Sequence, residues 1–439
     1  MMYTIIFLTW ITQVYPDEGS VIVAVGEASL ESSSIVFEKP RKKGPLSAAQ
    51  KSSIEELYNL FTNDFSYYKK RFSVSKLDAK PLKKDAPPSY KKWEEKEIHY
   101  FFRFFFQRHK KSKNLIKYDI RGYDVKQKRQ IIMETGKVAR KNIRRLGHEI
   151  TNKAYKKIEG KKSIFQSEIV FVSDRTGHKE LYITDFDGFN TQRLTAHRGI
   201  VISPAISLNR KKIVYSLIDS KRRYRNINLY IYDRAKKRTR MVSSRKGINS
   251  GAIFTPNGKN LILTLSFLGN AEIYNMNLKT RRLRRITRHY SLDVDPSLSS
   301  DGRILAFLSS RSGRAMIHTL NPKGQELNVQ RISFVGQFNA TPRFNPFGSE
   351  MAFAAWSGRG FDIYRINADR SGLVRLTKNF GSNEDPSYSN DGQFIVFSSK
   401  KLIDDDKAEQ NIFIMDRDGE ILGPITNKFG NCATPRWSK

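Results

Sequence analysis

From about Glu168 onward, apolar and polar residues alternate in short runs that are separated by turn residues. One run, "EDPSYSNDGQFIVFSS" (Glu384–Ser399), contains a proline, an Asn-Asp-Gly turn and an apolar stretch that ends in serines. Alternation with a period of two residues, interrupted by Gly, Asn or Asp, predicts antiparallel strands joined by tight turns. A single run predicts only a hairpin. Whether the run recurs along the chain therefore distinguishes an isolated hairpin from a repeat fold.

The hairpin pattern recurs at a nearly constant spacing. Related stretches include "DPSLSSDGRILAFLS", "TPRFNPFGSEMAFAA" and the truncated "TPRWSK" at the C-terminus. Between them lie a strand such as "FDIYRINAD" and a last strand ending in "VRLT" or "RRIT", which makes four short strands in each unit. The equivalent positions, 44 to 49 residues apart, are Pro204, Ala252, Pro296, Pro342, Pro386 and Pro435. Four strands in a repeat of this length are typical of a β-propeller blade.

The two ends of the repeat array complement each other. The first unit, Glu168–Thr195, has three predicted strands and lacks the proline-led strand, whereas the last fragment, "CATPRWSK", is only that strand. Placing the fragment in the first blade gives six four-stranded blades and closes the ring. Closure also removes the exposed strand edges that invite aggregation.

The N-terminal part has a different pattern. Leu46–Phe65 has apolar residues on one helical face, and Ser47 with Gln50 forms a capping box. The aromatic segment Glu97–His109 predicts a strand buried on much of both faces, and a later helix is expected to stop at Gly160. We therefore predict a mostly β protein, a six-bladed propeller preceded by a small α/β domain. The predicted segments are a signal or N-terminal segment (1–19), the α/β domain (20–160) and the propeller (161–439).

The N-terminus contains the apolar run "TIIFLTWI" (Thr4–Ile11), which is too short to span a bilayer. It fits the apolar part of a secretory signal, although no Lys or Arg precedes it and no A-x-A site follows. A wrongly chosen start codon is the alternative interpretation.

The chain is strongly basic, with a formal net charge of +35 over 439 residues, and positive charge is in excess on both sides of Gly160. Such a field attracts polyanions such as nucleic acid, anionic lipid or envelope phosphates. A solvated cationic surface is the alternative. The single cysteine, Cys432, excludes an internal disulfide and a cysteine-built zinc site.

Two basic runs stand out within this charge, Lys221–Arg225 and Lys279–Arg288. The second is expected on an outer strand with its arginines on a shared face. It fits a solvated blade edge, and also contact with lipid phosphates or peptidoglycan carboxylates.

Sequence motifs for catalysis are missing. The sequence contains neither a G-x-S-x-G elbow, nor an H-E-x-x-H helix, nor a P-loop, and its seven histidines lack ligand spacing. The Asp-Gly pairs are typical of tight turns. They are not accompanied by the closely spaced acidic residues of a calcium-binding loop. We expect no enzyme, no small-molecule substrate and no cofactor.

The best candidate site is the set of loops before the proline-led strands, because the innermost strand of each blade lines the channel and these loops ring one mouth. Acids concentrate there, at Asp293, Asp295, Glu384 and Asp385. Two interpretations remain open: a mouth that holds a cation or a basic partner, and polar side chains that only cap turns.

The repeat units resemble those of the TolB family, in which proline, an aromatic residue, Ser-Pro-Asp-Gly and an apolar strand lead to an "IYVMD" strand and "RLT". The order of one α/β domain and six blades is also similar, as are the junction "HEITNKAYKKIEGKKSIFQSEIVFVSD" and the segment "VIVAVGEASLESSSIVF" with Gly26. The resemblance covers nearly the whole chain from about Ser20. The charge and the weak signal segment depart from the family.

The resemblance implies a monomeric periplasmic scaffold of the Tol–Pal envelope system, which supports outer-membrane integrity and cell division. A Pal-like lipoprotein would bind at the channel mouth and a TolA-like protein at the N-terminal segment Val21, Ile22 and Val23. A calcium ion in the channel would be compatible with the family. The matching mouth residues are Ile248, Asn249, Ser250, Asp293, Val294, Asp295, Asn339, Thr341, Asn383, Glu384 and Asp385; the first three replace the His-Asn-Gly of well-known relatives.

A different function fits the charge: a divergent propeller that binds polyanions, either envelope phosphates or nucleic acid, through its basic surface.

Overall fold

The computed structural model describes residues 32–78, 89–109, 112, 114–218, 226–324, 326, 328–404 and 407–438. The apolar run Thr4–Ile11, the segment Val21–Val23 and the basic run Lys221–Arg225 lie outside these residues.

The N-terminal part is a mixed sheet covered by helices. The sheet order is β3-β1-β4-β5-β6, and β2 pairs with β4. Strand β1 is parallel to β3 and β4, whereas β4, β5 and β6 are antiparallel. The elements are β1 (Ser33–Glu38), β2 (Arg41–Lys43), α1 (Ala48–Tyr67), β3 (Phe72–Leu77), α2 (Tyr90–Glu94), β4 (Tyr100–Arg108), β5 (Leu115–Asp124), β6 (Arg129–Ala139), a 3-10 turn (Arg140–Asn142) and α3 (Ile143–Glu159).

The predicted helix signals are confirmed. At the start of α1, Ser47 Oγ accepts from the backbone N of Gln50 at 3.2 Å, and Gln50 Oε1 accepts from the backbone N of Ser47 at 3.0 Å. Helix α3 ends at Gly160, whose φ of 69° is a left-handed conformation that glycine adopts without steric cost. Strand β4 is buried on both faces, because Phe102 packs against α1 and Phe101 packs under Trp93.

The rest of the described chain forms six four-stranded antiparallel sheets, which confirms the predicted number of blades. The strands are β7 (Glu168–Ser173), β8 (Glu180–Asp185), β9 (Gln192–Arg193), β10 (Ile200–Ile206), β11 (Lys212–Ile218), β12 (Ile227–Asp233), β13 (Arg238–Ser243), β14 (Asn249–Phe254), β15 (Asn260–Leu265), β16 (Glu272–Asn277), β17 (Leu283–Arg285), β18 (Asp293–Leu298), β19 (Leu305–Ser309), β20 (Met316–Leu320), β21 (Gln330–Arg331), β22 (Asn339–Phe344), β23 (Glu350–Trp356), β24 (Phe361–Asn367), β25 (Val374–Arg375), β26 (Ser382–Tyr388), β27 (Phe394–Asp404), β28 (Lys407–Asp416), β29 (Ile421–Pro424) and β30 (Cys432–Trp437).

The C-terminal strand closes the ring, as the two incomplete ends of the array predicted. Strand β30 pairs antiparallel with β7 and becomes the innermost strand of the first blade, in the order β30-β7-β8-β9. Trp437 is buried there, and its indole Nε1 donates to Ser167 Oγ at 2.7 Å. The two ends of the propeller are therefore joined by a sheet ladder and by a buried side-chain hydrogen bond.

The innermost strands β10, β14, β18, β22, β26 and β30 contact one another in sequence around the channel. The mouth face is formed by the loops that precede these strands, residues 194–199, 244–248, 286–292, 332–338, 376–381 and 425–431. It also includes the described turns between the second and third strands of a blade, residues 174–179, 266–271, 310–315 and 357–360, and the strand ends beside these loops and turns. The domain face is formed by the turns that follow five of them, residues 207–211, 255–259, 299–304, 345–349 and 389–393.

The α/β domain is held against the domain-face side of the first and last blades. Tyr68 Oη, just after α1, donates to Asp391 Oδ2 at 2.5 Å in the turn between β26 and β27. Arg144 in α3 forms an ion pair with Asp187 in the turn between β8 and β9. The mouth face is thus opposite the α/β domain.

The basic run Lys279–Arg288 does lie on and around an outermost strand, β17, but its arginines do not share a face. Arg285 pairs with Glu272 of its own blade at 2.8 Å, whereas Arg284 Nη2 donates to the backbone O of Pro322 at 2.6 Å. Successive side chains of a strand point to opposite sides, so neighbouring arginines separate. Among the helices that the structure describes, none is both long and apolar enough to cross a membrane.

Candidate functional site: the propeller channel and its mouth

Each innermost strand has the same exposure pattern near its start: one buried residue, two partly exposed residues and another buried residue. The partly exposed residues form two successive rings around the channel. The outer ring is Ile202, Ser250, Val294, Ala340, Glu384 and Ala433, and the second ring is Ser203, Gly251, Asp295, Thr341, Asp385 and Thr434. A six-fold repeat in the sequence therefore becomes a six-fold ring of channel-facing positions.

The second ring has an unusual backbone. All six residues have φ between 49° and 60°, and the pairing register of each innermost strand shifts at this point. A residue before proline normally adopts an extended conformation, and positive φ is strained for a β-branched residue such as Thr341. Only Gly251 adopts it without steric cost.

The bulge explains the proline of the repeat. Proline lacks a backbone N–H, and a bulge is a place in a sheet where a ladder hydrogen bond can be absent. The proline of the repeat thus marks the bulge in each innermost strand that carries it. The hydrogen bonds of the surrounding sheet keep these residues in the strained conformation. Residues with strained backbone often lie at binding sites.

Four of the predicted mouth residues are buried beneath the channel surface. Asn249 shows why: its Nδ2 donates to the backbone O of Ile227 at 2.9 Å and of Arg245 at 2.6 Å, and its Oδ1 accepts from Ser243 Oγ at 2.6 Å. These bonds hold the preceding loop in place. The four residues, each at most 1% exposed, are Asn249, Asp293, Asn339 and Asn383.

Asp293 is the charged member of this buried set. Its Oδ2 lies 2.7 Å from Arg311 Nη2, which also contacts Glu326 Oε1 at 2.7 Å. Burial raises the pKa of Asp293, and the hydrogen bond from Ser309 and the attraction of Arg311 oppose this. Its Oδ2 is therefore engaged by an arginine of its own blade.

The other predicted residues are partly exposed at the mouth: Ile248, Ser250, Val294, Asp295, Thr341, Glu384 and Asp385. Ser250, Val294 and Glu384 belong to the outer ring. Burial raises the pKa of Glu384, and the nearby Asp385 carboxylate raises it further.

The channel carboxylates face two arginines. Asp295 Oδ1 lies 2.9 Å from Arg343 Nη2. Burial raises the pKa of Asp385, whereas attraction by Arg436 and Arg343 lowers it. The calcium ion that the family resemblance allowed does not fit this arrangement, because calcium needs six to eight oxygen ligands and two guanidinium groups repel it. Across the described residues, no group of three or more His, Cys, Asp or Glu side chains is arranged to hold a metal ion.

The two arginines were missed in the sequence. Each follows a proline of the repeat, in the duplicated "TPR" of "TPRFNPFG" and "TPRWSK". The duplicated motif could have predicted both arginines as channel residues, because equivalent positions of a repeat occupy equivalent places around the ring. Arg343 and Arg436 accordingly extend into the channel on either side of the blade that carries Asp385.

The mouth face also exposes large apolar side chains. The most exposed of them, Tyr290, precedes β18, and Phe334 and Phe338 precede β22. Of the 15 large hydrophobic residues that are exposed in the described chain, eight lie on this face: Ile200, Leu268, Tyr290, Leu292, Phe334, Phe338, Leu402 and Ile403. Apolar groups concentrated around a polar channel are typical of a protein-binding surface.

The fold and the channel define a class: a six-bladed β-propeller with an N-terminal α/β domain and a polar channel. Residues 155–439 match the TolB beta propeller domain family, and the chain belongs to this family. Structurally it is similar to TolB from Acinetobacter baumannii, with a TM-score of 0.75, 23% identity and coverage of 94% of this chain and 98% of that chain. At this identity the likeness concerns the fold.

Curated relatives are similar in sequence over part of their length. A protein TolB homolog of Chlorobium chlorochromatii (strain CaD3) is 34% identical over 38% of this chain and 37% of that protein. The Tol-Pal system protein TolB of Francisella tularensis subsp. mediasiatica is 27% identical over 58% of this chain and 60% of that protein. The chain thus spans less than two thirds of the length of the relatives it matches. Together with the family match, these relatives indicate a TolB-type propeller.

Proposed function

We propose that this chain is a non-catalytic periplasmic scaffold that binds a Pal-like outer-membrane lipoprotein at the mouth face. The observation that carries the proposal is the concentration of exposed apolar side chains on the mouth face, which is opposite the α/β domain. A few residues carry most of the binding energy of a protein interface, and aromatic side chains are enriched among them. The Francisella relative, which is named a Tol-Pal system protein, supports the choice of partner.

The proposed contact surface combines two kinds of residue. The partly exposed residues of the predicted set, such as Ile248, Val294 and Glu384, lie at the centre, and the exposed apolar residues surround them. The buried residues Asn249 and Asp293 act indirectly, by holding the loops that present this surface.

Two further parts of the proposal come from the resemblance. A TolA-like protein would bind the segment Val21, Ile22 and Val23, which lies outside the described residues. The scaffold would act as a monomer in outer-membrane integrity and cell division.

The test is a calorimetric titration of the full chain with the soluble domain of the Pal-like lipoprotein from the same organism. We expect one-to-one binding that persists at high salt, because apolar contacts are not screened. Replacing Phe334 or Tyr290 by alanine should weaken binding about tenfold, since a buried interface aromatic contributes 1 to 2 kcal/mol or more.

The matched control is Phe347→Ala, which removes an equally exposed aromatic side chain from the domain face. Absence of saturable binding would contradict the proposal. An equal loss of affinity in Phe347→Ala and Phe334→Ala would contradict the assignment to the mouth face.

A second candidate function, binding of an anionic envelope surface, has its own observation. A cleft of about 800 Å³ lies between the fifth and sixth blades on the mouth face, under the long β27–β28 hairpin. Among the residues that the structure describes, four cations and one carboxylate, Asp362, line it; the cations are Arg359, Arg375, Lys400 and Lys401. Binding that vanishes at high salt in the same titration would favour this function.

A further inference from the structure

The channel has a third ring below the mouth. It consists of the residues that follow the repeat prolines or their equivalent: Ala205, Ile253, Ser297, Arg343, Ser387 and Arg436. On its domain-face side the channel widens into a cavity of about 390 Å³, which is within the range of small-ligand sites. This cavity is separate from the mouth-face surface.

The cavity combines apolar walls with positive charge. Ile206, Phe254 and Phe344 are among the wall residues. Its charged lining residues are all cationic, and the described chain contributes no Asp or Glu to the lining; the cations are Lys162, Arg210, Arg343 and Arg436. An apolar wall with a cationic inner end is complementary to an amphiphilic anion.

Arg436, at the inner end, is buried without an ion pair. Arg436 is 7% exposed, and its Nη1 donates only to the backbone O of Pro435 at 2.9 Å. Among the described residues, no carboxylate oxygen lies within 4.0 Å of its guanidinium, whereas Arg343 has Asp295 at 2.9 Å. The Nε of Arg343 is itself buried without a hydrogen-bond partner.

An unpaired charge in this position is costly. Burying a charged group is strongly unfavourable unless a counter-charge and hydrogen bonds compensate it. Burial lowers the pKa of Arg436 to about 10, and repulsion by Arg343 acts in the same direction; Asp385 and Asp295 oppose it from beyond ion-pair distance. The surroundings therefore favour the arrival of an anion beside Arg436.

We propose that this domain-face half of the channel binds a small amphiphilic carboxylate. Its carboxylate accepts from the guanidinium of Arg436 and from the Nε of Arg343, and its apolar body lies against Ile253, Phe254 and Phe344. A planar guanidinium matches a carboxylate in a two-bond geometry. A free short-chain acid and the C-terminal carboxylate of an apolar peptide share this chemistry.

The experiment is a calorimetric titration of the full chain with octanoate, octanol, sulfate and the dipeptide Leu-Leu with a free or amidated C-terminus. Saturable one-to-one binding of octanoate, with octanol and sulfate at least tenfold weaker, is the expected result. Tighter binding of free Leu-Leu than of octanoate would identify a peptide carboxylate as the source. Equal binding of octanol and octanoate, or no saturable binding of any carboxylate, would overturn the proposal.

Two variants probe the role of Arg436. Ala205 occupies, in the adjoining strand β10, the position equivalent to Arg436 in β30, so Ala205→Glu places a carboxylate beside Arg436. The new carboxylate should pair with Arg436 and raise the melting temperature. It should also weaken octanoate binding at least tenfold. Arg436→Gln should also lose binding. The control, Arg314→Gln, removes the same charge from an exposed mouth-face turn and should bind as the wild type does.

Retained octanoate affinity in either folded channel variant would overturn the proposal. If neither variant folds, the comparison of octanoate with octanol on the unmodified chain still decides it.

Discussion

The imidazole Nε2 of His148 lies 3.3 Å from Asp187 Oδ2 and thereby joins helix α3 to the first propeller blade. Its Nδ1 lies 3.0 Å from Asp64 Oδ2 in helix α1. A histidine between two buried carboxylates is stabilised in its protonated form. Together with Arg144, which pairs with Asp187, it forms a charged contact inside the interface between the two domains.

This contact predicts a loss of stability in alkaline solution. Burial alone lowers the pKa of His148, but the nearby carboxylates of Asp187 and Asp64 outweigh it and raise the pKa to about 9. Because the folded-state pKa exceeds the unfolded value of about 6.5, the stabilisation is complete below pH 6.5 and disappears as pH rises through 9. The shift corresponds to at most about 3 kcal/mol.

The measurement is urea unfolding between pH 6 and pH 10 for the wild type, His148→Gln and the exposed control His178→Gln. The wild type should exceed His148→Gln in free energy of unfolding at pH 6, and the difference should shrink by pH 10. A difference independent of pH would show that His148 is not protonated in the folded protein.

A second prediction concerns the threonine that ends the repeat motif. Thr377 Oγ1 accepts from the backbone N of Ile363 at 2.9 Å and donates to Asp362 Oδ1 at 2.9 Å, where the outermost strand of the fifth blade ends. In four other blades, a hydroxyl at the equivalent position accepts from a backbone N of the third strand at 2.9 Å. These hydroxyls belong to Thr195, Thr287, Ser333 and Thr426. The hydroxyl therefore completes the hydrogen bonding of the blade.

Replacing Thr377 by valine keeps the shape but leaves the buried N–H of Ile363 unpaired. We expect a loss of about 1 to 3 kcal/mol in the free energy of unfolding. Thr377→Ser keeps the hydroxyl and should lose clearly less. Equal destabilisation by both substitutions, measured by urea unfolding, would assign the effect to packing of the methyl group.

The third prediction concerns ring closure. Trp437 is 3% exposed. Besides the indole bond to Ser167, its backbone N donates to Ser387 Oγ of the neighbouring blade at 3.0 Å. Trp437→Ala should cost about 3 to 5 kcal/mol, as expected for a buried aromatic side chain. The thermal transition followed by circular dichroism should remain cooperative but shift to lower temperature.

Trp356→Ala is the matched control, because Trp356 is only partly buried at the end of β23. It should cost less than Trp437→Ala. If the control were equally destabilised, the closing strand would contribute no more to the ring than an ordinary blade position.

Much of the fold follows from local patterns. The number of blades, the closure by "CATPRWSK" and the capping box at Ser47 were all predicted from short stretches. A propeller blade pairs strands that are neighbours in sequence, so alternation and turn residues specify it almost completely. The mouth loops were likewise predicted from the repeat, because their place in the ring follows from the place of the strand they precede.

The exposure of individual site residues did not follow from local patterns. Asn249 and Asp293 have the polar character of contact residues, but bonds to their own loops bury them. The positive φ of Thr341 before Pro342 contradicts the local preference of a residue before proline. Both features depend on ladders and loops that only the closed ring brings together.

By itself, the sequence determined the repeat, the number of blades and the helix ends, because these depend on contacts between residues close in the chain. It also determined the closing strand, because the two incomplete ends of the repeat array complement each other. Tertiary structure alone decided that Arg343 and Arg436 face the channel on either side of Asp385, and that His148 lies between Asp64 and Asp187. The physical reason is that burial and charge pairing depend on elements from distant parts of the chain, whose separation in space no periodic pattern records.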